Sequence, residues 1–370
     1  METLLRDAVA LRMEADVPLG AFLSGGIDSS LVTALMQSQS VQPVRTFSIG
    51  FDDPALDEAA HARAVADHLG TAHTEFSVGA DNALALVPQL AATFDEPFAD
   101  HSQIPTLLLS ELARRQVTVA LSGDGGDELF AGYGRYFAIL KLWRLLGLLP
   151  ATLRRGVAPT LAASAAILRP LSAFGSAGSR LPQRLGRLAE RLTAPDVDEL
   201  RLSFIGGAGV QRLQDEVKSR DFRHCLPPQE LHDTLRRLMY GDQLDYLPDD
   251  ILHKLDRASM AHSLEARVPL LDHRVVEFSW RLPRSMLVDG NRGKMLLRRV
   301  LERHVPRALV DRPKQGFTPP LDSWLRGPLR DWAEPLLAPE ALRELPMLDA
   351  VGVRRLWEAH LQQRMEAGHA

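Results

Sequence analysis

The chain has a single cysteine, Cys225, in 370 residues. One thiol excludes an internal disulfide and a cysteine-based zinc site, and it fits a reducing compartment. No apolar run reaches the length that spans a bilayer, and the start METLLRDAVALRMEADV lacks the basic-then-apolar order of a signal sequence. The expected location is therefore the cytoplasm, with no membrane partner. Charge of one sign is missing as well. Lys plus Arg at 43 against Asp plus Glu at 47 leave −4, which makes no global electrostatic case for nucleic acid or a lipid surface. There is no internal repeat and no low-complexity tract. From Leu140 onward convincing strands are lacking too. Residues 151–224 are rich in Arg but have none of the aromatic interleaving of a nucleic-acid face, so solvated helix faces account for them.

What is present suffices for one large or two ordinary domains, with 45% hydrophobic content to build their core. The first 140 or so residues alternate strand-like and helix-like segments. VPLGAFL, RTFSIGF, AHTEFSV and VTVALSG have strand character; SSLVTALMQSQ, DEAAHARAVADHLG, NALALVPQLAATF and IPTLLLSELARR have helical spacing. Strands separated by such helices pair in parallel through right-handed crossovers, which predicts an α/β fold with a doubly wound parallel sheet. A large helical C-terminal portion follows. The expected division is an α/β nucleotide-binding core over 1–140, a helical insertion over 141–239 and a helical segment over 240–370 that folds back to complete the site. In such sheets ligands sit at the carboxyl ends of the strands, and both glycine-rich turns, SGGIDSS and SGDGGDE, directly follow strands.

The first turn presents a puzzle. Gly25 and Gly26 allow close backbone approach, the helix beginning near Asp28 aims its N–H groups at the turn, and Ser24, Ser29 and Ser30 add hydroxyl donors. That is an anion site, yet it carries a carboxylate. It is not a Walker A loop, since the lysine and the wider loop are absent. A divalent cation bridging Asp28 to phosphate resolves the conflict, because magnesium uses one or two carboxylates plus phosphate oxygens. Asp124, Asp127 and Glu128 of the second turn supply carboxylates on the same sheet edge. Taken alone, either turn also reads as a polar helix cap.

SGGIDSS resembles the pyrophosphate-binding PP-loop of ATP pyrophosphatases, shared by GMP synthetase, NAD synthetase, argininosuccinate synthetase and the asparagine synthetases. LSGDGGDELFAGY, HKLDRASMAHSLEARVPLLDH and RPKQGF, in that order, are similar to the synthetase domain of class B asparagine synthetases, over about Leu4 to Trp357. The resemblance implies ATP with its pyrophosphate on Ser24, Gly25, Gly26, Asp28 and Ser29, and its adenosine against Leu23, Ile49, Ser122 and Gly123. It implies Asp28 and Asp127 as Mg2+ ligands, with magnesium clamping the leaving pyrophosphate. A substrate carboxylate, in the family aspartate, attacks the α-phosphorus, and ammonia displaces AMP to give an amide. Asp124 stands where asparagine synthetases carry an acidic residue and related β-lactam synthetases a tyrosine, a place suited to proton removal from the attacking amine. Lys294 in GNRGKMLLRR matches a lysine that neutralises charge at the phosphate and tetrahedral carbon. Asp256, Arg257, Glu265 and Arg267, interleaved with apolar residues, are expected as a buried polar frame behind the substrate. The family also implies dimers.

The sequence departs from that pattern in three places. Glutamine-dependent members begin with a glutaminase domain whose nucleophilic cysteine follows the initiator methionine; here Glu2 follows Met1, and Cys225 lies outside any matching motif. Free ammonia, a separate glutaminase domain or subunit, or a fragment of a longer protein are the expectations this leaves. The end, LWEAHLQQRMEAGHA, stops before the final helix usual in the family, which favours a fragment. Finally, aspartate-specific members carry threonine and arginine in the segment that here reads EPFADHSQIPT. Asp100 and His101 stand near the arginine's place, and neither replaces its fork toward an α-carboxylate. Another acid, such as a cell-envelope sugar acid or a peptide side chain, is the alternative acceptor.

Overall fold

The computed structural model describes residues 1–51, 59–168, 176–205, 231–312, 319–346 and 348–362. Cys225 and most of RPKQGF lie outside them. The chain forms two compact units, Met1–Tyr133 with Asp242–Pro320, and Gly134–Gly241 with Leu321–Ala370. Sequence divisions at 140 and 239 treat the segments as consecutive; the units interleave, with residues 321–370 grouping with 134–241.

In the first unit, short apolar or alternating runs bounded by turns become β1 (Leu19–Phe22), β2 (Arg45–Phe51), β3 (Ala72–Val78) and β4 (Val119–Leu121), separated by helices α2 (Ile27–Gln37), α3 (Ala59–Leu69), α4 (Ala80–Phe94) and α5 (Gln103–Arg114). The strands pair in parallel in the order β3-β2-β1-β4, a fifth strand adding beyond β4, with Ala21 opposite Thr46 on one side and Leu121 on the other. This is the doubly wound α/β sheet expected from the alternation. The chain winds outward from β1 to β3 and then returns to place β4 beside β1, so the topological switch lies between β1 and β4. Their carboxyl ends open the crevice where such sheets bind ligands. Both glycine turns leave from those two ends.

The fifth strand corrects the reading that no strand follows Leu140. β5 (Glu265–Arg267) pairs with β4, Val119 opposite Glu265 and Leu121 opposite Arg267. Three residues with two charges carry little strand signal, and an edge strand tolerates them because one side faces solvent. The expected buried polar frame is also corrected. Arg257 and Asp256 form an exposed pair at 3.2 Å, and Glu265 is exposed beside the partly covered Arg267 at 2.7 Å. Arg267 instead donates to the carbonyls of Arg12 and Glu14, at 2.9 and 2.7 Å, capping the first helix, α1 (Glu2–Met13). Spacing of i, i+3, i+4 buries Leu5, Ala8 and Val9 on that helix.

A buried carboxylate ties α1 to the helix His273–Arg281. Asp272 caps that helix through the Arg274 N–H, and it also accepts from the Arg274 guanidinium at 2.9 Å and from Arg12 at 2.6 Å. Hydrogen bonds from Arg274 hold its pKa well below the usual carboxylate range, with Arg12 adding to the effect. A depressed carboxylate contributes stability above its unfolded pKa of about 3.9 that is lost as pH falls through the folded value. Asp272→Asn is therefore expected to cost about 2 kcal/mol at neutral pH, a gap that narrows on acidification below about pH 4, read from urea unfolding across pH.

The second unit is helical among its described residues. α7 (Gly134–Gly147), α8 (Ala151–Leu168), α9 (Ser176–Leu192) and α10 (Val197–Ile205) are joined by short helices over 321–362. Asp198 and Arg237 pair inside it, and Arg201 is buried beneath Gly241.

Candidate active site

Three turns converge on one point in the first unit. In the first, Leu23 closes β1 by donating to the Phe47 carbonyl at 2.9 Å, and Gly25 takes φ +70°, a left-handed conformation suited to glycine. The Ser24 and Ser29 hydroxyls lie 3.0 Å apart, and the Ser24 N–H donates to Ser29 Oγ, so the two serines hold the turn shut across α2's first residues. Among the described residues no side chain caps α2, which leaves its leading N–H groups turned to the loop. Leu23 and Ile49 are buried, with side chains in the sheet's core.

The second turn continues the ladder, Ser122 N–H donating to the Arg267 carbonyl at 2.8 Å. The Ser122 hydroxyl donates to Asp124 at 2.6 Å and orients that half-buried carboxylate. A side chain at Gly123 would sit 2.6 Å from the Ser29 nitrogen, and one at Gly126 would sit 2.5 Å from the Asp28 carboxyl. Glycine at both positions lets the two acidic turns touch. Asp127 lies in the first turn of α6 (Gly126–Leu129).

The third turn brings Lys294. Its N–H donates to the Phe130 carbonyl at 2.8 Å, and its φ of 59° is left-handed, a strained conformation held by its surroundings. A side chain at Gly293 would overlap the Ala131 carbonyl, and one at Gly132 would overlap both Asp127 and the Lys294 side chain. Through that gap Lys294 reaches its ammonium between the two carboxylates, 2.7 Å from Asp127 and in contact with Asp28. The lysine is almost fully buried, which by itself would lower its pKa. The charges and hydrogen bonds of Asp127 and Asp28 outweigh that and hold the pKa above the ordinary lysine value. Asp311 steadies the turn from behind, accepting from Arg292 at 2.5 Å, Arg307 at 2.8 Å and Arg298 at 3.3 Å. Arg312, first residue of RPKQGF, donates to the Ser24 carbonyl at 3.3 Å.

Sequence reasoning named Glu128 with the site carboxylates, but its side chain turns inward. Burial, with Asp127 close by, pushes its pKa up to about 7, and it accepts a hydrogen bond from the Tyr133 hydroxyl. The roles of Gly126, Gly132, Gly293 and Asp311 were missed. The paired glycines of DGGDELFAGYG and GNRGK were the available signal.

A second polar cluster lies at the same sheet edge. α5 packs on β2 and β3 and ends at Arg114, a short turn before β4 begins, and the helix His253–Met260 packs on β5 and ends a short turn before it, so both helices begin toward the carboxyl ends of the strands. Lys254 bonds Asp100 at 2.5 Å and the Ser102 hydroxyl at 2.7 Å. Burial opposes charge on Asp100, but Lys254 overrides it and holds the carboxyl well below its usual range. Phe98 stacks on Phe94 at 4.9 Å, with His253 5.2 Å from its ring.

The family model for asparagine synthase matches residues 1–370. The chain belongs to that family. It is 34% identical over 363 residues, 96% of its length and 53% of the relative's, to a Mycobacterium tuberculosis protein named, provisionally, as a glutamine-hydrolysing asparagine synthetase. It is 31% identical over 345 residues to glutamine-hydrolysing asparagine synthetase 1 of Bacillus subtilis, 90% of this chain and 51% of that one. A Penicillium rubens amidase is 27% identical over 391 aligned positions, 93% of this chain and 56% of that one. The chain spans about half the length of the curated relatives it matches.

The family uses ATP. Among the described residues no group of three or more His, Cys, Asp or Glu side chains forms a metal cage. Asp28 and Asp127, converging on a single ammonium, fit a magnesium ion instead, which takes one or two carboxylates and completes its shell with phosphate and water.

Proposed function

We propose that the chain is an ATP-dependent amide-forming ligase that adenylates a carboxylate, releases pyrophosphate and transfers ammonia to the acyl carbon. The observation that carries this reading is the meeting of Asp28, Asp127 and Lys294, three residues from three separate motifs, at the switch point of the sheet. Ser24, Gly25, Gly26 and Ser29 hold the pyrophosphate, and Leu23, Ile49, Ser122 and Gly123 border the adenosine. Asp28 and Asp127 would hold magnesium, which supplies charge neutralisation for the leaving pyrophosphate. With Asp28 and Asp127 turned to magnesium, the Lys294 ammonium would be free to provide the cation where negative charge grows at the phosphate and the tetrahedral carbon. Asp124, oriented by Ser122, takes the proton of the attacking amine. Aspartate is the first acceptor to test, with ammonia supplied free or from a glutaminase domain or subunit. The relatives named as glutamine-hydrolysing, about twice this length, support the second source.

A specific observation favours a different acceptor. A free amino acid presents an α-carboxylate that needs an unspent cation, whereas Asp100, near the place where arginine is expected, brings a carboxylate that neutralises the neighbouring Lys254. That favours an acid lacking a free α-carboxylate, such as a sugar acid or peptide side chain.

The test is pyrophosphate release from ATP and magnesium, with aspartate and ammonium added separately and together, followed by other carboxylic acids. Acid-dependent release that falls at least about 10²-fold in Asp28→Asn and Asp127→Asn is expected. Unchanged release in either variant would overturn the site assignment.

A further inference from the structure

The net charge of −4 conceals an asymmetry. Residues 134–192 contain ten basic side chains and one acid, Glu190, so this stretch carries +9 and the remaining residues −13. Its described residues form α7, α8 and α9, with α8 and α9 packed side by side. The same stretch exposes large apolar side chains. Leu148 is 78% exposed at the corner between α7 and α8, Ile167 is 74% exposed on α8, and Leu153, Val157, Leu181 and Leu188 are exposed as well. At about 100° per residue, Leu153, Val157 and Ile167 share an arc of about 80° on α8, and Leu181 and Leu188 one of about 20° on α9. On α9 the exposed Arg184 and Arg187 lie about 40° and 100° from Leu188, flanking that stripe on one side.

Leucine, valine and isoleucine tips in water, set among arginines, are the composition of a helix face that lies in a bilayer interface. The apolar tips enter the acyl boundary, and the guanidinium groups meet anionic headgroups. Other occupants fit less well. Aliphatic side chains gain nothing on a phosphodiester backbone, and the exposed aromatic platforms that stack bases are missing from the described part of this face. A second copy meeting this face with its own across a two-fold axis would bring +9 against +9. No single helix among the described residues is long and apolar enough to cross a membrane; Gly126–Gly147 and Ala151–Leu168 reach that length and composition only as a pair bent by 117°, and a pair so bent suits a contact in the interface.

We propose that the α7–α9 face docks on an anionic lipid bilayer. The purified chain should co-sediment with vesicles of phosphatidylcholine and phosphatidylglycerol, and not with phosphatidylcholine alone, at about 0.1 M salt. The double variants Arg184→Glu/Arg187→Glu and Leu148→Ser/Ile167→Ser should each lower partitioning, the charge reversals by at least about 20-fold, while circular dichroism and melting temperature stay unchanged. Three results would overturn the proposal. They are equal partitioning onto neutral and anionic vesicles, binding that survives both double variants, and binding to polyuridylate or self-association through this face without vesicle binding.

Discussion

Lys294→Met is expected to lower acid-dependent pyrophosphate release by about 10²–10³-fold or more, the usual loss when a preorganised charge is removed from a developing anion. It should also destabilise the chain in the absence of divalent cation. Asp28 and Asp127 lie on either side of one buried ammonium. Without it, two largely buried like charges face each other, at a cost of about 3–5 kcal/mol for breaking a buried pair. Magnesium should restore part of that loss in the variant, because it supplies the missing charge between the same two carboxylates. Thermal melts with and without magnesium read this independently of turnover. A variant as stable as the parent and indifferent to magnesium would mean that the two carboxylates do not depend on the lysine.

Gly293→Ala is expected to be nearly as damaging although it removes nothing. Its new methyl would overlap the Ala131 carbonyl, a backbone atom that no side-chain rotation can move aside. The turn that carries Lys294 must then retreat from the Phe130 carbonyl it bonds, and the ammonium leaves its place between the carboxylates. Strain of this kind costs about 1–3 kcal/mol in stability, and a displacement of about 1 Å at a reacting centre costs about 10²-fold in rate. Gly134→Ala is the matched control. Nothing lies within 4 Å of the added methyl there, and a helical glycine replaced by alanine should leave stability equal or raise it by up to about 1 kcal/mol. Pyrophosphate assays and urea melts on both variants separate the two cases.

These glycines mark where the sequence stops being legible. Strands β1, β2 and β4 were readable as largely buried runs ended by a turn and β3 as an alternation that sets Ala72, Thr74, Phe76 and Val78 on one face, and RTFSIGF and AHTEFSV match β2 and β3 residue for residue. SGGIDSS and SGDGGDE were readable as site turns because glycine, serine and aspartate following a parallel strand have a direct chemical use. β5 was not, because a three-residue edge strand is defined by its neighbour β4 rather than by its own side chains. The roles of Gly132 and Gly293 were hidden for a similar reason, since the steric need exists only once turns more than 150 residues apart meet. The exposed Asp256 and Glu265 show the converse error. Interleaved charge and apolar spacing cannot distinguish a buried frame from a surface with paired charges, because both patterns repeat on the same helix and strand periods. Net charge misled in its own way, averaging a basic helical stretch against an acidic remainder.

On the proposed reaction the three turns form a single centre where a carboxylate attacks the α-phosphorus of ATP. The most direct measurement supplies the chain with ATP, magnesium, ammonium and an accepted carboxylic acid, aspartate first, labelled with oxygen-18 in its carboxyl group, and analyses the nucleotide by mass spectrometry. Adenylation predicts one labelled oxygen in the phosphate of AMP, pyrophosphate as the other product, and loss of both in Lys294→Met. Unlabelled AMP, or ADP with orthophosphate, would contradict it.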